Sequence, residues 1–239
     1  VYTYYGCSKG DYNVRDEDIH VSNLEGDGDF RSPECVEFLK ESDIVVSNPP
    51  FSLLREFVAQ LVQYGKKFLF IGNQNAITYK EIFPLIKDNK LWLGYNMVKK
   101  FVVPEVINKN CEVQEDGTII AKFGNIGWFT NLTHSKRNQP MLLYKRYTPE
   151  EFPKYDNYDA INVNKVSDIP YDYKGIMGVP ITFLNSYCPS QYRIVGATES
   201  EGKGFSNGLF NPQSRITQPL VNNKKVYKRI FILPFNYKG

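Results

Sequence analysis

Between residues 43 and 72 the apolar positions change their rhythm twice. "DIVV" (43–46) is a short unbroken apolar run. "LLREFVAQLVQY" (53–64) repeats apolar residues at spacings of three and four, through Leu54, Phe57, Val58, Leu61 and Val62. "KKFLFIGN" (66–73) is again nearly continuous. Short continuous runs bounded by turn residues predict strands buried on both faces, and the 3–4 spacing predicts an amphipathic helix. Ser52 is placed to cap that helix and Gly65 to end it.

The flanks extend the pattern. "IHVSNLEG" (19–26) reads as a strand. "SPECVEFLKES" (32–42) reads as a helix with Ser32 as N-cap, Pro33 at its first position and Glu34 in its first turn. Another helix is expected from Thr78 through "YKEIFPLIKDN", kinked at Pro84. Alternating strands and helices predict an α/β fold with a mostly parallel sheet, whose ligands sit at the carboxyl ends of the strands. After residue 90, "KLWLGYN", "GNIGWFTNL", "PMLLYKR", "QYRIVGATE" and "VYKRIFILP" read as strands among turns rich in Gly, Asn and Pro. The organisation expected is a core over 1–150 and an irregular β-rich C-terminal extension over 151–239.

Composition narrows the chemistry. The 239 residues are 42% hydrophobic and carry a net charge of +3, which permits nucleic acid as a partner without demanding it. Four scattered cysteines (Cys7, Cys35, Cys111, Cys188) form no CxxC pair, which suits a reducing cytoplasm. The two histidines, His20 and His134, have no partners at ligand spacing, so no metal centre is expected. No apolar run has the length of a membrane span. The opening lacks an initiator Met, and residues upstream are expected to be missing.

One strand ends unusually. "DIVVS" runs into Asn48-Pro49-Pro50-Phe51, and two prolines stop a ladder and stiffen the exit. This is either an ordinary strand exit with Phe51 in the core or a binding device. Methylating the exocyclic amine of a nucleobase needs such a device. Acceptors fixed beside the amine, a side-chain amide oxygen and a neighbouring carbonyl, favour a tetrahedral nitrogen whose lone pair is available. An aromatic ring can stack on the base once it leaves the duplex. Asn48, the Pro49 carbonyl and Phe51 meet those needs.

"DIVVSNPPF" resembles the catalytic motif of amino-group methyltransferases that use S-adenosylmethionine. The wider block from "GDGDF" to "KLWLGYN", with "GNIGWFTNL", "IPYDYKGIMGVPITFL" and "YKRIFIL", is similar to the EcoRI-type adenine-specific DNA methyltransferases. The resemblance implies a Rossmann-like fold, S-adenosylmethionine as cofactor, and methyl transfer to adenine N6 in double-stranded DNA. A partner restriction endonuclease acting on the same site would follow. It implies catalytic roles for Asn48, Pro49, Pro50 and Phe51, with Asp29 contacting the cofactor's adenine and Phe30 packing on it. Gly26-Asp27-Gly28 is too short to count as a glycine-rich cofactor loop, and a solvated acidic turn is the alternative for Asp29. No F-x-G-x-G loop precedes Asp29.

DNA contacts are expected from Lys99 and Lys100, from Lys136 and Arg137 in "HSKRNQ" (134–139), and from "NNKKVYKR" (222–229). "ESEGKGFSNGLFNPQSR" (199–215) is expected to be a loop that orders on DNA. Each stretch taken alone is more often a solvated loop. The rival functions are an RNA or protein amino-group methyltransferase and a non-catalytic DNA-binding remnant of the fold.

Overall fold

A computed structural model describes residues 1–4, 15–97, 99–106, 110–199 and 204–235. Cys7 and part of the 199–215 loop lie outside them. The chain divides into two compact units, Val1–Asp43 and Ile44–Gly239.

In the first unit β1 (Tyr2–Tyr4) pairs antiparallel with β2 (Ile19–Val21), and α1 spans Pro33–Glu41. Ser32 caps α1 by accepting from the Cys35 N–H at 3.2 Å, with Pro33 at the first position. The strand expected over 19–26 stops at Val21. The Glu34 carboxylate takes the N–H groups of Glu25 and Gly26 at 3.1 and 3.3 Å, so this backbone is committed to a turn.

The second unit opens with β3 (Ile44–Ser47), a 3-10 turn over Phe51–Leu53, α2 (Leu54–Gln63) and β4 (Lys67–Asn73). Then come α3 (Phe83–Lys87), β5 (Trp92–Leu93), β6 (Lys100–Val103), β7 (Cys111–Val113), β8 (Ile119–Lys122) and β9 (Ile126–Thr130). The first sheet has the order β3-β4-β9-β5. β3 and β4 are parallel, joined through α2, whereas β9 runs antiparallel to both β4 and β5. The sheet is therefore mixed rather than mostly parallel. β9 is reached through the three-stranded antiparallel insert β6-β8-β7, not through a crossover helix.

α2 buries Leu54, Phe57, Val58 and Leu61, with Phe57 edge-on to Phe70 at 5.7 Å and Phe70 stacked on Phe129 at 5.5 Å. Val62 falls off this stripe and is exposed. Ser52 does not cap the helix. The Leu53 N–H closes onto the Pro50 carbonyl at 3.0 Å, the 3-10 turn takes up Ser52, and α2 begins two residues later. β4 buries Phe68 and Phe70 on one face and only half-buries Leu69 and Ile71 on the other. Thr78 ends a 3-10 turn instead of starting a helix. Pro84 lies in the first turn of α3, where its missing N–H costs nothing, so no kink results.

A second four-stranded sheet follows: β10 (Ile161–Asn162), β11 (Met177–Pro180), β12 (Tyr192–Ala197) and β15 (Arg229–Pro234), in the order β10-β11-β15-β12. The hairpin β13 (Leu220–Val221)–β14 (Lys224–Lys225) precedes β15. "PMLLYKR" forms no strand beyond a single bridge from Lys145 to Pro170. Its Met141 backbone is held by the Gln191 side chain at 2.8 and 2.9 Å, and Leu142 and Tyr144 face solvent.

Candidate active site and nucleic-acid interface

β3 and β4 run in register from Ile44↔Lys67 to Ser47↔Phe70, so Asn48 leaves the sheet at its carboxyl edge beside the end of β4. Pro49 is buried, while Asn48 and Pro50 are exposed. The Pro50 carbonyl is spent on Leu53. Among the described residues no hydrogen bond takes the Asn48 carboxamide or the Pro49 carbonyl. The turn thus leaves two adjacent acceptors without a hydrogen-bond donor, on backbone that proline fixes. The Phe51 ring is 40% exposed and does not belong to the core.

The floor beneath this edge is tightly packed. A Cβ at Gly72 would lie 3.0 Å from the Phe129 ring and 3.4 Å from Leu54. Asn73 caps the next turn by accepting from the Asn75 N–H at 2.9 Å, so its side chain is used structurally.

Asp29 and Phe30 lie in the first unit, both half-buried. Arg31 engages both. Its Nε and terminal nitrogen donate to the two carboxylate oxygens of Asp29 at 3.0 and 2.7 Å, and its guanidinium lies 5.6 Å from the Phe30 ring centre. The Arg31 hydrogen bonds hold the Asp29 carboxyl at about 2, below its ordinary 3.8. Both carboxylate oxygens are thus engaged by Arg31, beside a half-buried ring.

The expected DNA contacts divide. Lys99 and Lys100 border a pocket of about 600 Å³ with Asn110, Glu112, Lys122 and Phe123. Lys122 and Glu112 were not among the sequence candidates. Only the pairing Lys100↔Lys122 brings them there, and that register is not readable from local composition. Lys136 is half-buried and lies 6.0 Å from the Tyr95 ring centre. Arg137 must be withdrawn as a DNA contact. It is 8% exposed, its guanidinium sits 3.9 Å over Trp92, and it donates to the Asn89 side-chain oxygen at 2.8 Å. Its charge serves an internal aromatic clasp.

Comparison with known proteins fits this arrangement. The family model for the adenine-specific methyltransferase EcoRI matches residues 2–234. The chain is 48% identical over 221 residues to the Type II methyltransferase M.EcoRI of Escherichia coli, covering 89% of this chain and 67% of that protein. It is 38% identical over 229 residues to M.MgeORF184P of Mycoplasma genitalium, covering 90% and 71%. With M.MpnI of Mycoplasma pneumoniae it shares 40% over 195 residues, covering 77% and 60%. The chain thus spans roughly two thirds of the length of these relatives. No solved structure matches.

Proposed function

We propose, for a chain that belongs to the EcoRI family of adenine-specific methyltransferases, transfer of a methyl group to N6 of an adenine flipped out of a short duplex DNA site. The observation that carries this reading is the pair of unspent acceptors, Asn48 and the Pro49 carbonyl, on a turn whose other carbonyl is locked to Leu53. They accept from the two N–H groups of the target amine and align its lone pair, and Phe51 stacks on the flipped base.

S-adenosylmethionine supplies the activated methyl group when bound. Asp29 would take the amine of its adenine and Phe30 would cover the ring. The parallel β3–α2–β4 unit, with the reactive turn at its carboxyl edge and β9 and β5 completing that side, supports a Rossmann-like core. The two four-stranded sheets lie in 44–130 and 161–234, within the one compact unit Ile44–Gly239. Within that unit the catalytic core is assigned up to about residue 150, and recognition of the target to the residues that follow. Lys99, Lys100 and Lys136 are assigned to phosphate contacts, and a restriction endonuclease of the same specificity is the expected partner.

Among the described residues no helix is long and apolar enough to cross a membrane.

The test is incubation with unmethylated plasmid and S-adenosylmethionine, followed by nucleoside mass spectrometry. N6-methyladenine is expected from the wild type and not from Asn48→Ala, whose binding of duplex persists. Methylation of RNA or protein alone, or a silent wild type, overturns the reading.

A further inference from the structure

The hairpin β13–β14 is too short to hold itself. Each strand has two residues, paired Leu220↔Lys225 and Val221↔Lys224, and an isolated hairpin of that size has no independent stability. The fold invests in it from outside. Asn157, 2% exposed, donates to the carbonyls of Ile216 and Gln218 at 2.7 and 2.9 Å and accepts from the Leu220 N–H at 2.9 Å. The Asp156 backbone N–H bonds to the Leu220 carbonyl at 2.8 Å, and its carboxylate takes the Asn223 N–H at 2.7 Å. Val221 and Val226 pack on the cluster of Tyr155, Tyr158 and Phe231. The base of the hairpin is thus fixed from three sides.

What this scaffold holds out is polar. The two turn residues Asn222 and Asn223 have φ of 50° and 60°, the two-residue turn whose twist matches its strands. Both are exposed, as are Lys224 and Lys225. Tyr227, just beyond, is 86% exposed. Among the described residues the acid bound to the tip is Asp156, whose carboxylate takes the Asn223 backbone N–H.

We infer that this hairpin is a preorganised groove-reading finger, in which Asn222 and Asn223 meet base edges and Lys224 and Lys225 meet the flanking phosphates. The inference rests on the DNA-methyltransferase reading and adds to it a specificity element. Amides are suited to bidentate contact with adenine, and lysines to phosphate. Rigidity matters because ordering a loose hairpin on DNA would subtract from binding.

The positive φ values give a clean test. Glycine adopts them readily, so Asn222→Gly and Asn223→Gly remove the amide while keeping the turn. The sites methylated by the wild type are first mapped on plasmid DNA. Methylation is then compared between a duplex bearing that site and duplexes with one base pair changed. The glycine variants are expected to lose about 10- to 100-fold in discrimination at one or two positions, with unfolding temperatures near wild type. Lys224→Gln and Lys225→Gln are expected to weaken binding to all duplexes alike, each lowering the salt slope by about one. Unchanged discrimination in the double glycine variant overturns the finger, provided the wild type methylates. A wild type that makes no N6-methyladenine fails at the earlier reading instead.

Discussion

Lys100 and Lys122 stand directly opposite one another in the antiparallel pair β6–β8. Like charges at such a position destabilise a sheet. Glu112 relieves part of the repulsion through its ion pair with Lys122, whose hydrogen bond and charge, with a smaller contribution from Lys100, lower the Glu112 pKa. Adding Lys99, the pocket carries three cations against one carboxylate among its bordering residues. This excess of positive charge is what the proposed contact with a DNA phosphate would use.

Lys100→Gln is accordingly expected to reduce the salt dependence of DNA binding by about one counterion and to leave folding stability equal or slightly higher, by up to about 0.5 kcal/mol. Glu112→Gln should tighten DNA binding. Anisotropy titrations across salt concentrations check both, and an unchanged slope for Lys100→Gln would remove this pocket from the interface.

Arg137 predicts the opposite behaviour. Its replacement by Ala breaks the contact with Trp92 and the bond to Asn89 inside the second unit, at a cost of about 2–3 kcal/mol in denaturant unfolding. Lys should recover little, because the planar stack is lost. The salt slope of DNA binding stays at the wild-type value.

Asp29 gives a pH prediction. Its folded-state pKa of about 2 lies below the ordinary 3.8. The stabilisation from its pair with Arg31 is therefore complete above 3.8 and is lost as pH falls through about 2. Carboxyl chemical shifts should titrate near 2 in the wild type and nearer 3.8 in Arg31→Gln. Affinity for S-adenosylmethionine should fall about tenfold in Asp29→Ala and show no carboxylate titration between pH 5 and 8.

Gly94 is required by contact. A Cβ there would come 2.5 Å from the Cβ of Trp128, so Gly94→Ala must part β5 from β9. The expected cost is about 1–3 kcal/mol, read as a lower unfolding midpoint.

The stiff turn at the end of β3 was legible because Asn48-Pro49-Pro50-Phe51 is contiguous and two prolines act locally. The positions of β3 and β4 were legible as short apolar runs, and the stripe of α2 was legible because its periodicity reports burial. The burial expected of β3 is not met, since Ile44 and Val46 are exposed. The sheet's direction was not, because β9 and β4 pair across more than fifty residues and a strand's local pattern carries no sign of its neighbour's direction. The cap at Ser52 failed for a subtler reason. Two prolines set a 3-10 turn that competes for the same backbone, and residue preference cannot rank the two. Arg137 looked like a surface cation because its partners, Trp92 and Asn89, are distant in sequence.

The open side of β3 has a practical consequence. Among the described residues it is an edge strand, with Ile44 and Val46 48% and 67% exposed. Unpaired backbone carrying β-branched apolar residues is a template for intermolecular pairing. A solution of this chain should therefore self-associate as it is concentrated, with light scattering rising before any loss of secondary structure. One charge on that seam, Val46→Lys, should raise its solubility limit, and a chain with that edge covered would not need the change.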